Sequence, residues 1–255
     1  MRRLALTSWS VHRLLTDKTA PLDLLDLPAQ LAAHGIGTLE LCHFHLLSTE
    51  QPALDRLRAA LDAAGVELQT LLIDTGDISH PDAARAAEER ELVAGWMDVA
   101  ARLGARAVRV VAGEASADDE DARARAIAQL RLLADLGETL NLRVTTENFR
   151  PLASTAASCH AILDALDGSV GLCADIGNFP AASRLSEFAS VVPRAEVIHV
   201  KASYGADGAL LPDDVSGCLA AAVAAGFSGP LTLVYDRPES WRGIDELAAV
   251  VRPFV

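Results

Sequence analysis

The sequence predicts an α/β fold, a single (β/α)8 TIM barrel spanning residues 1–255, and three observations predict it. Short apolar runs of β type alternate eight times with Ala/Leu/Arg-rich stretches of helical period. Five helical stretches end on a glycine just ahead of the next run, at Gly35, Gly65, Gly104, Gly168 and Gly226. Glycine is the usual stop at a helix C′ position. Residues able to hold a metal or move a proton gather at the C-terminal ends of the runs, the end where a parallel barrel collects its chemistry. An open doubly wound sheet is the alternative, but neither GxGxxG nor GxxxxGK[ST] occurs in the chain.

The first strand is read as Leu4 to Trp9, followed by a helix through LDLLDLPAQLAAHG that Pro28 bends or breaks. GTLELC is the second strand. The helix DRLRAALDAAG after it carries Leu54, Leu57 and Leu61 on one face. VELQTLLID is the third strand, and a long helix follows from Asp82 to Leu103, behind Pro81. ARAVRVVAG leads into an acidic helix start, SADDEDA, whose carboxylates suit the helix dipole. LRVTTE, a helix from Thr155 to Leu166, VGLCAD and a short helix around Leu185 to Val191 come next. EVIHVK is the seventh strand. The stretch SYGADGALLPDD reads as a polar loop ahead of the helix VSGCLAAAVAAG, then PLTLVYD is the eighth strand and Ile244 to Val251 the last helix. The first and last strands should pair.

Composition narrows the function classes. A chain of 255 residues buries a sizeable core, and although 51% of it is hydrophobic, no apolar run reaches membrane-spanning length. MRRLALTSWS has a basic flank, but its apolar part is too short for a secretory signal and reads better as a strand. The formal net charge of −13 argues against a nucleic-acid surface. Cys42, Cys159, Cys173 and Cys218 show no CxxC spacing, which points to free thiols and a cytoplasmic setting. The expected partner is a small molecule, with no nucleic acid and no membrane. A homo-oligomer is compatible with the sequence.

The residues from Leu142 to Lys201 carry the chemistry. LRVTTENF ends at Glu147, VGLCADIGNF at Asp175 with Asn178 after it, and EVIHVKAS at His199 and Lys201. Three consecutive strand ends bearing Glu, Asp and His place an O/O/N set around one point, which suits Mn, Mg, Zn or Co. Other strand ends add Trp9 and His12; Glu40, His43 and His45; Asp74, Asp77 and His80; Arg109 and Glu114; and Asp236 and Arg237. Five of the seven histidines fall in this set, against His34 and His160 in helical stretches. Of these, His12, His43, His45, Asp74, Arg109, Asn178 and Arg237 are assigned to substrate binding.

Strand alternation sets directions. Asp175 and Cys173 share a face, as do His199, Lys201 and Val197, with Leu172, Ala174, Ile198 and Val200 toward the helices. Glu147 inward brings Thr145 and Arg143 with it, and an inward Arg143 needs a carboxylate or solvent. Only Lys18 and Lys201 are lysines among 22 Lys and Arg, which singles out Lys201 beside His199 as a catalytic candidate. The bland reading is a salt bridge to Asp175 or Asp236.

Glu147-Asn148, the DxGN of Asp175, Gly177 and Asn178, the HxK of His199 and Lys201, the start TSWSVH and the tail DDVSGCLAAAVAAGFSGPLTLVYD together resemble the xylose-isomerase-like TIM-barrel superfamily over essentially the whole chain. That superfamily contains sugar phosphate isomerases/epimerases and endonuclease IV-type repair enzymes. The resemblance implies a divalent metal held by Glu147, Asp175, His199 and a strand-eight Glu. Val234 stands at that last position, and Asp236, two residues on, is the substitute ligand. Asn178 stands where the family has a His. The resemblance further implies a sugar, sugar phosphate or polyol isomerase or epimerase that abstracts a proton next to a hydroxy-ketone. With Val234 in place of one base, Glu147 is the clear base, which fits aldose–ketose isomerisation better than inversion. Two other classes compete: a small-ligand binding protein with an incomplete metal site, and a metal-dependent hydrolase.

Overall fold

In a computed structural model, which describes residues 2–19, 21–238 and 240–255, eight strands run parallel and close on themselves. They are β1 (Arg3–Thr7), β2 (Thr38–Cys42), β3 (Glu67–Ile73), β4 (Ala107–Val110), β5 (Arg143–Glu147), β6 (Gly171–Asp175), β7 (Ala195–Lys201) and β10 (Pro230–Val234). Each pairs with the barrel strand before it, and β10 closes onto β1 in the register Arg3↔Pro230 to Leu6↔Leu233. This is a (β/α)8 barrel, and the predicted first-to-last pairing is present.

The helices are α1 (His12–Leu15), α2 (Leu27–Ala33), α3 (Gln51–Ala64), α4 (Ala83–Leu103), α5 (Glu120–Leu140), α6 (Ala156–Leu166), α7 (Arg184–Val191), α8 (Pro212–Ala224) and α9 (Ser240–Val251). Side chains of Asp82, Asp119 and Thr155 accept backbone N–H bonds at the starts of α4, α5 and α6, so the predicted starts of α4 and α6 are capped ones. The five expected glycines all adopt left-handed φ. Asn141, with φ 56°, does the same for α5, because a short polar side chain tolerates that conformation.

Three local readings change. Pro28 lies in the first turn of α2, where no backbone N–H is missed, so it starts the helix instead of breaking it. β1 stops at Thr7, and Ser8–Val11 turn away as a 3-10 helix. Ser10 Oγ fixes that turn, donating to Leu233 O and accepting from Tyr235 N. The polar loop after β7 holds a small antiparallel hairpin, β8 (Ser203–Tyr204) with β9 (Leu210–Leu211).

The core lies between strands and helices. Leu6, Leu41, Val108, Val144, Leu172, Ala174, Ile198, Val200 and Leu233 pack outward against Leu31, Leu57, Leu130, Ile162, Leu219 and Leu247. Each such aliphatic residue contributes about 1.5–3 kcal/mol by leaving water. The opposite face of the same strands turns into the barrel, so the polar residues alternating with this core become lining. Arg143 finds the carboxylate it needs in Glu196, at 2.6 Å, and also donates to Ser169 O. No helix among the described residues is long and apolar enough to cross a membrane.

Candidate active site

Glu147, Asp175 and His199 end or nearly end β5, β6 and β7, and each is at most 3% exposed. His199 Nδ1 lies 3.3 Å from Glu147 Oε1 and 3.9 Å from Asp175 Oδ2. Donors sharing one ion at about 2.0–2.2 Å sit roughly 3–4 Å apart, so His199 is spaced from each of the two carboxylates as a shared divalent cation requires. Cys173 Sγ, one turn of the pleat below Asp175, lies within 4.8 Å of donor atoms of Glu147 and His199. Burial pushes its thiol up to about 12, which keeps it neutral at pH 7. Val234 lines the same cavity as these donors.

Neighbours hold each donor in place. Gly177 N donates to Asp175 Oδ1 at 2.6 Å, which leaves Oδ2 facing His199. Asn148 clasps the backbone of Asp175, accepting from its N–H at 2.6 Å and donating to its carbonyl at 2.9 Å. The Glu-Asn pair thus supplies one donor and one brace. Asn178 Nδ2 donates to Glu147 Oε1 at 3.2 Å. Gly177 also makes room for Lys201, because a Cβ there would stand 2.7 Å from Lys201 Cβ and only glycine admits the lysine stem.

Arg109, from β4, is the central cation. Its Nη1 lies 2.6 Å from Asp74 Oδ1 and its Nε 2.9 Å from Glu147 Oε2. Burial pushes the Glu147 carboxyl up, but Arg109 and then His199 outweigh it, and Glu147 sits below the ordinary carboxylate range. Asp175 goes the other way, up to about 6, through burial and the Glu147 charge. For His199, burial opposes protonation, and the surrounding acidic groups overcome it. Since the Cys173 thiol is neutral, Glu147 and Glu40 account for that rise.

The remaining candidates divide into two groups. Asp74, Arg109, Asn178 and Lys201 line the same cavity of about 300 Å³ as the three donors. Trp9, Phe44, Phe149, Arg150, Cys42 and Leu72 complete its wall. His12, His43 and His45 do not line it. His45 bridges Ser8 Oγ (2.8 Å) and His12 Nδ1 (2.9 Å), while His43 packs edge-on against Trp96 at 4.8 Å. Asp236 lies 3.4 Å from Lys201 Nζ and, with Arg237, lines a separate depression beside Trp9 and His12. Because β10 ends at Val234, Asp236 has already left the strand face that points inward. Lys201 therefore has both features anticipated for it, a place in the pocket and an acidic partner.

Sequence reasoning assigned no role to Glu40 or Cys173. The available signal was the same for both, a polar residue at an inward position of a strand otherwise apolar.

This is a (β/α)8 barrel with an acidic, imidazole-bearing pocket at the C-terminal mouth. The chain belongs to the xylose isomerase-like TIM barrel family, whose model matches residues 28–251. No curated protein matches the sequence. Among solved structures it is similar to a D-psicose 3-epimerase crystallised in the presence of D-fructose, at 15% identity and TM-score 0.76 over 99% of both chains. It is similar to a xylose isomerase-like protein from Mycobacterium smegmatis in complex with magnesium, at 17% identity and TM-score 0.75, over 100% of this chain and 97% of that one. A third is the IOLI protein with a bound zinc atom, at 18% identity and TM-score 0.76, over 99% and 96%. At these identities the likeness establishes the fold.

Proposed function

We propose that the protein is a divalent-metal-dependent isomerase or epimerase of a small carbohydrate, free or phosphorylated, or of a related polyol. The convergence of Glu147, Asp175 and His199 carries this reading. Four carboxylates (Glu40, Asp74, Glu147, Asp175) gather around one guanidinium and one imidazole, a concentration of oxygen donors that suits a cation. When bound, such an ion supplies Lewis-acid polarisation of the hydroxy-ketone oxygen. The magnesium and zinc bound by similar barrels support the same site chemistry.

In this reading Glu147 takes the proton from the carbon beside the carbonyl. Arg109 keeps that carboxylate ionised and, with Asn178, aims it. Lys201 holds a substrate hydroxyl, carboxylate or phosphate or faces the oxygen where charge develops. Trp9, Phe44 and Phe149 exclude water from the reacting carbon. Val234 offers no base on the opposite side, so one carboxylate both removes and returns the proton, which favours aldose–ketose exchange over inversion.

Metal content of the full chain and a panel of aldoses, ketoses and phosphoesters test this. Turnover of a sugar, abolished by chelation and restored by Mn, Mg, Zn or Co, is the expected result. Metal uptake with no turnover of any sugar would shift the reading to a small-ligand binding protein, and phosphoester cleavage to a hydrolase. A chain that takes up none of these ions ends the metal reading.

A further inference from the structure

We propose that Glu40 is a positioning residue that prepares His199 as a metal ligand. The inference rests on the metal-dependent function proposed above. Glu40 lies mid-strand in the apolar run of β2 and is 1% exposed. Its Oε2 stands 2.7 Å from His199 Nε2, and its Oε1 accepts from Thr70 Oγ1 at 3.1 Å. Both carboxylate oxygens therefore have partners, and the two partners come from different strands, β7 and β3.

The consequence falls on the other side of the ring. In the neutral ring that a metal ligand must be, an Nε2–H donated to a carboxylate leaves the lone pair on Nδ1. Nδ1 is the nitrogen facing Glu147 Oε1 and Asp175 Oδ2. A histidine ligand whose second nitrogen is bonded to a carboxylate is fixed in tautomer and orientation and is the more basic for it. A pair that only tied β2 to β7 would have no need to turn the second nitrogen toward two more acids. Burial adds weight: removing one partner of a charged pair this deep strands the other, so position and proton are held together.

The test uses the full chain and Mn²⁺, with affinity read by titration calorimetry and folding by melting temperature. Wild type, Glu40→Gln, His199→Asn and the double variant are compared. Glu40→Gln should bind Mn²⁺ about 10–100-fold more weakly. In the His199→Asn background the same change should cost less than about twofold, since nothing remains to position. Thr70→Val, which frees one Glu40 oxygen, should weaken binding about 2–10-fold and serves if Glu40→Gln does not fold. Unchanged affinity in Glu40→Gln, or in Thr70→Val where it alone folds, overturns the positioning role and leaves the proposed function standing. An equal loss with and without His199 also overturns it, because Glu40 then acts through the fold. A wild type that binds none of Mn²⁺, Mg²⁺ or Zn²⁺ overturns both.

Discussion

Arg109 Nε lies 2.9 Å from Glu147 Oε2 while Nη1 of the same guanidinium lies 2.6 Å from Asp74 Oδ1, so one buried cation on β4 braces carboxylates on both sides of it. Arg109 is only 4% exposed, and its pairing is what allows Glu147 to stay ionised against burial. Arg109→Met should destabilise the fold by about 3–5 kcal/mol at neutral pH, through two carboxylates left without their cation. Glu147 sits below its ordinary range, so its contribution is present above the unfolded carboxylate value and is lost as pH falls through the folded one. The gap between wild type and variant in urea denaturation should therefore close in acid. A gap that is flat with pH would mean that Arg109 acts by packing alone.

Val234 is the apolar wall where the resemblance implies a glutamate. It is 8% exposed and lines the cavity with Glu147 and His199. Val234→Glu should raise divalent-cation affinity by at least about tenfold, a gain of about 1.4 kcal/mol. It should also add exchange of the substrate proton from the opposite face, detectable as inversion in deuterated buffer. Weaker metal binding in this variant would show that this wall belongs to substrate.

Lys201→Met separates chemistry from architecture. The Lys201–Asp236 pair is about one-third exposed on each side, and such pairs are worth at most about 1 kcal/mol. Melting temperature should barely move, while turnover falls by at least about 100-fold, the scale of losing one electrostatic stabiliser. Lower stability with surviving turnover would remove Lys201 from the site.

His45 sets an acid limb on stability. Burial, and then the neighbouring His12 and His43, push its pKa down from 6.5 to about 4. A folded-state pKa below the unfolded one gives stability that is present above pH 6.5 and is lost as pH falls toward 4. Relative to His45→Gln, the wild type should lose about 1–3 kcal/mol across that window in denaturant titrations. Parallel pH profiles for the two proteins would count against a buried neutral imidazole.

Much of this was already written along the chain. Period and punctuation settled the order of strands and helices, because a run of β-branched and aliphatic residues closed by a glycine has few other readings. Glu147, Asp175 and His199 were legible as a set, since each follows an apolar run and a parallel barrel brings all such ends to one mouth. Boundaries were less legible. Trp9 and Asp236 read as strand residues, yet both strands end earlier, where Ser10 Oγ donates to Leu233 O and accepts from Tyr235 N.

Only the tertiary structure decided which polar residues meet. Glu40 and His199 are 159 positions apart, and no spacing rule connects them until the barrel closes β10 against β1 and turns both side chains inward. The same closure gathered Arg109 between Asp74 and Glu147 while His43 and His45 turned to Trp96 and Ser8. The physical reason is that alternation fixes a side chain's face within its own strand, whereas its partner depends on strand register and on which end the strand reaches. Those are properties of the closed sheet and belong to no single segment of the chain.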